Sequence, residues 1–589
     1  MASFVITTNT TSGQLVDAGE FGFVAPAGSI LAPVGSAVVL NGTATLISYG
    51  AMASATAVGL QLNSVTNTSV TIAATGSVIT GGVDLAAVAG DFTGFFAFHN
   101  AGMISGGQGI DLVAAVSSQI NIANDGSLQG LGVTEGAAIA VALNNTSSAV
   151  IANTGTLSTA GTGATVHSTG DGTVTLTNTG RILNASALAV AIDVAGSLTL
   201  RNAGYIEGDV AVTQSANIFN SGTIEGNLLL NSFNDAVRIS GLVMGDVRLG
   251  NGINAFWLTG GRVLGTVSGG AGSDSYHVDR SDVTIVDTTG GFDRVFASVD
   301  FRLSLGVEQL FLTSGPRGLV GIGSNWNNGI FGDAGADSLL GLAGNDNIDG
   351  GAGNNRIGGG FGEDTLAAGP GDDLLAGGGG NDVIRVGYGN DTLMGGTGID
   401  RLSFDQITDL AGVSANLSTR KATFADAGFM SFIGFEDLQG GAFNDTLTGD
   451  YGPNRLFGGS GADQLFGALG NDTLIGGTGG DLLTGGFGND SFVYLAPSDS
   501  AGSGLDTLQG FQPGYDLIDL SAIDAVAGGT DDAFAFIGAA GFSAGQAEVR
   551  ATASNGTTLV EVRLAGSIVD DLQIVLTGLY TLSAAHFIL

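Results

Sequence analysis

A nine-residue unit recurs eight times without interruption between Gly332 and Ser403, and it decides the fold of the chain around it. The units read GDAGADSLL, GLAGNDNID, GGAGNNRIG, GGFGEDTLA, AGPGDDLLA, GGGGNDVIR, VGYGNDTLM and GGTGIDRLS. Position 4 is always Gly and position 8 is always Leu or Ile. Position 6 is Asp in seven of the eight units, and the exception is Asn355. The regular aliphatic at position 8 argues against a Gly-rich disordered linker.

A second array of six units in the same phase runs from Gly440 to Val493. Its units read GGAFNDTLT, GDYGPNRLF, GGSGADQLF, GALGNDTLI, GGTGGDLLT and GGFGNDSFV. Asn454 replaces Asp at position 6 of the second unit, and Phe443 replaces the position-4 Gly of the first unit. The two arrays together predict one repeating architecture over this part of the chain.

The period predicts a parallel solenoid in which two units close one coil. Each unit supplies a Gly-rich turn of about six residues and a short strand with one inward aliphatic side chain. Stacked coils lie about 4.8 Å apart, so neighbouring position-6 carboxylates repel by about 1 kcal/mol even in water. A cation is therefore required between them. Carboxylate and carbonyl oxygens suit Ca²⁺, whereas Zn²⁺ would need the Cys and His that these arrays lack.

The candidate Ca²⁺ ligands are the position-6 Asp residues of the two arrays and of one isolated unit, GGAGSDSYH, at residues 269–277. They are Asp274, Asp337, Asp346, Asp364, Asp373, Asp382, Asp391, Asp400, Asp445, Asp463, Asp472, Asp481 and Asp490.

The units resemble the GGxGxDxUx nonapeptide of the RTX, or haemolysin-type, calcium-binding repeat proteins. The resemblance covers roughly residues 269–589 and implies a calcium-filled β-roll. After the second array, LDTLQGFQPGYDLIDL at residues 505–520 is similar to the segment that follows the repeats in serralysin-type proteases. There, Asp506, Asp516 and Asp519 either supply a last ion or belong to a solvated loop.

Composition limits the function classes. The formal net charge is −37, which argues against nucleic acid or an anionic membrane as a partner. The chain has no Cys, so it offers neither a disulfide framework nor thiol chemistry. The first residues, MASFVITTNTTSG, lack the basic and apolar regions of a cleaved signal peptide. The apolar C-terminal LSAAHFIL is similar to the uncleaved signal of type I secretion systems.

The N-terminal half contains a looser repeat in which Asn-x-Gly precedes a short β-prone run. The Asn residues are Asn100, Asn124, Asn153, Asn178, Asn202 and Asn220, with spacings of 18 to 29 residues. These spacings predict a three-sided parallel β-helix. We expect Asn and Gly to occupy left-handed turn positions between its strands.

Enzymatic alternatives have few candidate residues. Parallel β-helices often carry polysaccharide lyases or epimerases, but the Tyr-Gly-x-Asp-Pro-His type signature of alginate epimerases is absent. The His-Glu-x-x-His motif of serralysins is absent as well. We interpret His99 and His167 as surface imidazoles. The Gly-x-Ser-x-Gly match at residues 541–545 is expected by chance in so Gly-rich a chain.

The sequence therefore predicts an all-β protein: an N-terminal parallel β-helix, then calcium-binding parallel β-rolls and a C-terminal β cap. The predicted segments are an N-terminal cap (1–40), the β-helix (41–268), a linking segment (269–331), the first β-roll (332–403), inserted strands (404–439), the second β-roll (440–493), and a C-terminal cap with a type I secretion signal (494–589).

The expected function is structural, without enzymatic activity. The favoured hypothesis is a secreted protein of a Gram-negative bacterium that self-assembles with Ca²⁺ into a cell-surface S-layer lattice or a filament. The alternative is a glycan-binding adhesin or carbohydrate-active module. Phe92, Phe95, Phe96 and Phe98 are sparse aromatic candidates for a glycan face, and each could equally belong to the core. The partners considered are further copies of the chain, cell-surface polysaccharide or lipopolysaccharide, and the type I secretion machinery.

Overall fold

The computed structural model is almost entirely β-structure. It describes residues 2–6, 8–33, 35–55, 57–80, 87–132, 136–186, 190–287, 290–407, 412–424, 429–502, 504–526 and 533–589. The chain divides into two compact units. Unit 1 comprises Met1–Ser298 and Ser304–Val307, and unit 2 comprises Val299–Leu303 and Glu308–Leu589. Among the residues just named, no helix is long and apolar enough to cross a membrane.

Unit 1 is a three-sided parallel β-helix, as the sequence predicts. The coil passes through faces 1, 2 and 3 in turn, and each strand pairs in parallel with its counterpart on the next coil. Face 1 is formed by Ala2–Ile6, Phe21–Val24, Thr45–Ser48, Gln119–Asn124, Ser148–Asn153, Thr173–Asn178, Ser197–Asn202, Ala216–Asn220, Ala236–Ile239, Ala255–Leu258, Ser275–Val278 and Arg294–Ala297. Two longer strands, Leu60–Ile72 and Val88–Asn100, turn the corner from face 3 to face 1.

The other two faces are built in the same way. Face 2 comprises Asn9–Thr10, Ser29–Ala32, Ala51–Ser54, Ser77–Thr80, Met103–Gly106, Ser127–Gly130, Thr156–Thr159, Arg181–Asn184, Tyr205–Glu207, Thr223–Ile224, Leu242–Val243 and Arg262–Val263. Face 3 comprises Gln14–Val16, Val38–Asn41, Ile110–Ala114, Ile139–Ala142, Val166–Thr169, Val190–Val194, Asp209–Val212, Leu228–Leu229, Val247–Arg248, Thr266–Ser268 and Thr284–Val286.

The core of unit 1 follows from period-two alternation along each strand. In Thr173–Asn178, Val174 and Leu176 are at most 1% exposed, and the Thr residues that alternate with them point outward. In-register stacking places each inward aliphatic above its counterpart, so burial repeats from coil to coil. The predicted cap of residues 1–40 contributes strands to all three faces. The predicted linking segment is divided, with residues 269–298 in unit 1 and 308–331 in unit 2.

The predicted left-handed conformation at the repeated Asn residues is wrong. Each of these residues ends a face 1 strand, and none is among the described residues with positive φ. Instead, the side chains form a buried ladder in which each Nδ2 donates to Oδ1 of the next coil's Asn at 2.7–2.8 Å. A Gly two residues later is needed for close packing, because a Cβ at Gly126 would collide with the Gly102 carbonyl.

Unit 2 contains the predicted β-roll, in which position 8 of each repeat is buried between two sheets. Leu339 and Ile348, from consecutive units, are at most 2% exposed, and strands eighteen residues apart pair in parallel. Roll sheet 1 contains, in spatial order, Phe301–Arg302, Val320–Ile322, Ser338–Ala343, Arg356–Phe361, Leu374–Gly379, Thr392–Thr397, Phe429–Ile433, Lys421–Phe424, Val413–Asn416, Thr446–Thr448, Gln464–Leu469, Leu482–Phe487, Asp506–Leu508, Leu572–Thr577, Thr557–Arg563, Glu548–Ser554 and Ala535–Phe536.

Roll sheet 2 runs opposite roll sheet 1 and consists only of parallel pairs. Its strands are Gln309–Leu312, Gly329–Phe331, Asn347–Asp349, Thr365–Ala367, Val383–Arg385, Arg401–Ser403, Asp437–Gln439, Arg455–Ser460, Thr473–Thr478, Ser491–Val493, Leu517–Asp519 and Phe587–Ile588. Two short 3-10 helices, Pro497–Ser500 and Ala584–His586, lie among the last strands.

The three inserted strands between residues 413 and 433 enter only roll sheet 1. Phe429–Ile433 pairs in parallel with Thr392–Thr397, and Val413–Asn416 pairs in parallel with Thr446–Thr448. Lys421–Phe424 lies between Phe429–Ile433 and Val413–Asn416 and is antiparallel to both. On roll sheet 2, Arg401–Ser403 pairs directly with Asp437–Gln439. The inserted hairpin therefore leaves roll sheet 2 continuous between the two arrays.

Candidate calcium sites

The position-6 carboxylates line up in two columns along the roll. Column 1 lies where the chain passes from roll sheet 2 to roll sheet 1 and contains Asp337, Asn355, Asp373 and Asp391. Column 2 lies where the chain passes back from roll sheet 1 to roll sheet 2, and it contains Asp346, Asp364, Asp382 and Asp400. In column 2, the backbone N–H of each Asp donates to Oδ1 of the next, eighteen residues later, at 2.8–2.9 Å. Column 1 follows the same pattern.

The other carboxylate oxygen, Oδ2, accepts no hydrogen bond at most of the predicted ligands. Oδ2 is buried without a hydrogen bond in Asp274, Asp346, Asp364, Asp373, Asp382, Asp391, Asp400, Asp463, Asp472, Asp481 and Asp490. Asp337 and Asp445, the first Asp of each array, differ because their Oδ2 accepts a backbone N–H from Asp333 and Gly441. A buried acceptor left without a donor costs about 1–3 kcal/mol, and more when it is charged.

Glycine at position 1 of each column 2 unit leaves room beside this oxygen. A Cβ at Gly341 would collide with Oδ2 of Asp346 and would lie 2.6 Å from the carbonyl oxygen of Gly359 on the next coil. Gly359 stands in the same relation to Asp364, and its Cβ would lie 2.7 Å from the carbonyl oxygen of Gly377. Each turn therefore brings a carboxylate oxygen and a backbone carbonyl to one small space without a side chain.

Asn355 shows what this space requires. Its Oδ1 accepts the N–H of Asp337 at 2.9 Å, as an Asp would. Its Nδ2 occupies the place of the orphaned oxygen and donates to the Gly353 carbonyl at 3.1 Å and the Ala368 carbonyl at 3.5 Å. Where the carboxylate is replaced, an N–H donor thus satisfies the carbonyls of the turn. Where the carboxylate is present, its Oδ2 and the carbonyl oxygens of the turn together suit a cation.

Burial raises the pKa of the column carboxyls. The pKa of Asp346, Asp364, Asp382 and Asp400 rises to about 6, chiefly because burial disfavours the charged form. The pKa of Asp373 rises to about 7, again through burial, with a contribution from the Asp391 carboxylate. Backbone N–H donors oppose these shifts only in part. The carboxylates therefore favour a bound proton or a bound cation.

The second array forms two columns of the same kind, and both extend past its last repeat. The N–H of Asp481 donates to Oδ1 of Asp506 at 2.9 Å, and the N–H of Asp490 donates to Oδ1 of Asp516 at 3.2 Å. Asp506 and Asp516 thus occupy ladder positions. Asp519 instead caps a local turn, accepting from the backbone and hydroxyl of Ser521.

Sequence reasoning missed Glu436, which ends column 2 by accepting the N–H of Asp400 at 2.9 Å. It also missed a ladder of the same kind in unit 1, where Asp235, Asn254, Asp274 and Asp293 follow one another 19 or 20 residues apart. The signal was the repeated acid or amide before a strand, although the Gly-rich turn of a full repeat is incomplete there.

The residues considered for other chemistry lie apart from these columns. His99 and His167 are partly exposed and pair with Asp125 and Asp193 at 2.8 and 3.1 Å. The backbone N–H of Ser543 donates to Glu548, whereas His586 pairs with Ser583. Among the Phe candidates for a glycan face, Phe96 and Phe98 are core residues and Phe95 is 39% exposed. The Phe92 side chain lies outside the described residues.

Comparison with known proteins agrees with this geometry. Residues 331–366 and 368–402 match the RTX calcium-binding nonapeptide repeat, and residues 454–589 match the serralysin C-terminal domain of M10 peptidases. No curated protein sequence matches the chain significantly.

Two solved structures are similar in part. The AlgE6R3 subunit of the Azotobacter vinelandii mannuronan C5-epimerase is 31% identical, with 25% of this chain and 77% of that chain covered and a TM-score of 0.19. The extracellular lipase LipA from Serratia marcescens is 17% identical, with 51% and 45% covered and a TM-score of 0.15. This chain thus spans under half the length of that lipase.

The repeats and the C-terminal domain together indicate an extracellular protein exported by type I secretion. The chain therefore contains RTX calcium-binding nonapeptide repeats followed by a serralysin-type C-terminal domain.

Proposed function

We propose that this protein is a calcium-dependent structural component of the cell surface of a Gram-negative bacterium, assembling from its own copies into an S-layer lattice or a filament. The observation that carries the proposal is the pair of buried carboxylate columns in unit 2, whose orphaned oxygens need Ca²⁺. The position-6 Asp residues are the proposed ligands. The free energy of Ca²⁺ binding at these residues contributes to folding, so the protein folds where Ca²⁺ is abundant.

Charge links Ca²⁺ to assembly as well as to folding. Copies with a net charge of −37 repel one another, and bound Ca²⁺ offsets part of that repulsion. Unit 1 also offers an apolar surface for contact with a partner. A groove of about 460 Å³ on face 2 is lined by Leu31, Pro33, Ala53 and Ile79. Leu31 is 44% exposed and Ile79 is 36% exposed, and such patches are typical of interaction sites.

Assembly in Ca²⁺ tests the proposal. Purified protein is titrated with CaCl₂ while light scattering and negative-stain electron microscopy follow particle size and order. We expect regular sheets or filaments that dissolve in chelator. Replacing Leu31 and Ile79 with Thr should raise the Ca²⁺ or protein concentration needed for assembly, whereas Ile568→Thr, at a residue 90% exposed in unit 2, should not. A wild-type protein that stays monomeric at millimolar Ca²⁺ and high concentration would refute self-assembly.

A second function, glycan binding, is supported by one row of side chains on face 1. The row stacks in register over six coils and consists of Arg201, Phe219, Arg238, Trp257, His277 and Phe296. The Arg238 guanidinium lies 3.8 Å from the centroid of the Trp257 ring. The His277 ring stacks on Trp257 and Phe296 at 5.4 and 4.6 Å. A groove of about 360 Å³ lies against Arg201, Phe219 and Arg238.

Partly exposed rings stack on sugar faces, and guanidinium groups pair with carboxylates. The row therefore suits an acidic polysaccharide. Calorimetry with mannuronan oligosaccharides at fixed Ca²⁺ tests it, with Arg238→Gln expected to weaken binding about tenfold. Arg262→Gln, on face 2, is the matched control. Binding unaffected by Arg238→Gln would exclude this row as the glycan site.

A further inference from the structure

Unit 1 contains a cluster of three buried acidic residues outside both repeat arrays. Asp274 precedes the face 1 strand Ser275–Val278, Asp293 precedes the next face 1 strand, and Asp287 follows the face 3 strand Thr284–Val286. Each of the three is at most 2% exposed. One carboxylate oxygen from each lies within 4.8 Å of the other two. Three negative charges this close and this deeply buried need compensation.

The hydrogen bonds of the cluster leave an oxygen pointing into it. Oδ1 of Asp274 accepts the backbone N–H of Asn254 at 2.7 Å, and the N–H of Asp274 donates to Oδ1 of Asp293 at 2.7 Å. The Tyr276 hydroxyl donates to Oδ2 of Asp287 at 3.0 Å. Oδ2 of Asp274 is buried and has no hydrogen-bond donor.

Gly269 leaves a space at the centre of these oxygens. A Cβ at this position would collide with Oδ2 of Asp274 and the Tyr276 hydroxyl, and would lie 2.5 Å from Oδ2 of Asp287. The three atoms nearest to that position are therefore all oxygens. Hard, oxygen-only surroundings with several carboxylates favour Ca²⁺ over transition metals, which prefer nitrogen or sulfur ligands.

The Tyr276 hydroxyl donates to Asp287 and can therefore hold that carboxylate in place beside the space.

We propose that Asp274, Asp287 and Asp293 bind a Ca²⁺ ion within unit 1 and that Tyr276 positions Asp287. Asp274 and Asp293 belong to successive coils, 19 residues apart, and Asp287 comes from the turn between them. The ion thus ties the last coils of the β-helix together. This makes the end of unit 1 dependent on Ca²⁺ independently of the repeats, and the site does not rest on the proposed self-assembly.

Hydrogen exchange of the full-length protein, measured at concentrations where it is monomeric, tests the site. Peptides covering residues 262–297 should exchange at least tenfold more slowly in CaCl₂ than in calcium-free buffer. Asp287→Asn should abolish that response while peptides from residues 332–403 keep theirs. Asp282→Asn is the matched control, because Asp282 lies in the same segment but is exposed and pairs with Arg280. It should respond like the wild type.

A conservative variant separates positioning from folding. Tyr276→Phe keeps the buried ring and removes only the hydroxyl, so residues 262–297 should need severalfold more Ca²⁺ to reach the same protection. A wild-type segment whose exchange does not depend on Ca²⁺ would overturn the site, whatever the protein's ability to assemble. A Ca²⁺ response in Asp287→Asn equal to that of the wild type would overturn it too.

Discussion

The backbone N–H of Asp346 donates a 2.8 Å hydrogen bond to Oδ1 of Asp364, its counterpart on the next coil. The Asp364 carboxylate therefore accepts a structural hydrogen bond through Oδ1, and its Oδ2 is a candidate Ca²⁺ ligand. The two roles can be separated by mutation, because an amide retains the acceptor and removes the charge.

Asp382 is the most informative position for that separation, because it lies in the middle of column 2. Asp382→Asn keeps the acceptor for the N–H of Asp364 and should lose Ca²⁺ binding without loss of the fold. Asp382→Ala removes both and should cost a further 1–3 kcal/mol or so. Calorimetry should count fewer ions in both variants and the wild-type number in Glu363→Gln, at an exposed neighbour. An unchanged ion count in Asp382→Asn would mean that the ligand is misassigned.

Asn355 allows the converse experiment. Its Nδ2 donates to carbonyls where other units present a carboxylate oxygen. Asn355→Asp should complete column 1 and add Ca²⁺ binding, while lowering stability in calcium-free buffer because it buries another charge. Calorimetry and thermal unfolding, each with and without Ca²⁺, measure the two effects. Greater stability in calcium-free buffer together with an unchanged ion count would contradict the assignment.

The pH dependence of the calcium-free protein follows from the raised carboxyl pKa values. The pKa of Asp364 is about 6 in the fold, against an ordinary value of 3.8, so the folded state binds more protons between these values. Protonation of these buried carboxyls stabilises the folded state fully below about pH 4, and this contribution is lost as the pH rises through 6 to 7. Without Ca²⁺, unit 2 should be more ordered at pH 5 than at pH 8 by circular dichroism. Saturating Ca²⁺ should reduce the difference. Greater order at pH 8 without Ca²⁺ would disprove this explanation.

Ala468 is a site where a single change should stabilise unit 2. It occupies position 2 of its repeat with φ of +79°, a conformation that costs a residue with a Cβ about 1–2 kcal/mol. Ala468→Gly should therefore raise stability by about 1 kcal/mol, measured as the denaturant midpoint in Ca²⁺. Ala352→Gly, at position 3 of its repeat and without positive φ, should be neutral or destabilising. Equal effects of the two substitutions would argue against strain at position 2.

The Asn ladder of unit 1 predicts a large effect at a residue far from any calcium site. Asn153 is 1% exposed, accepts from Asn124 and donates to Asn178. Asn153→Ala removes the acceptor for Asn124 and the donor to Asn178, and should cost about 1–3 kcal/mol. Hydrogen exchange of residues 148–202 measures it, with the exposed Asn145→Ala as a control that should change little. Equal exchange in the two variants would indicate that water replaces the amide.

The sequence alone determined the β-roll and the three-sided β-helix, because both are encoded by a local period. The nonapeptide states where each turn, strand and inward aliphatic lies, so Leu339 and Ile348 could be assigned to the core without coordinates. The columns of position-6 Asp residues followed from the same period, since stacking coils in register places equal positions above one another.

Only the tertiary structure decided what each polar side chain contacts. Neither the two roles of the two oxygens of Asp364 nor the Asn ladder in place of left-handed turns can be read from spacing, because hydrogen-bond partners lie on neighbouring coils. The same holds for the cluster of Asp274, Asp287 and Asp293, because Asp287 lies 13 residues after Asp274 and 6 before Asp293, intervals that match no period. Its members meet because the chain turns a corner between two faces, and that corner is set by the packing of the coils.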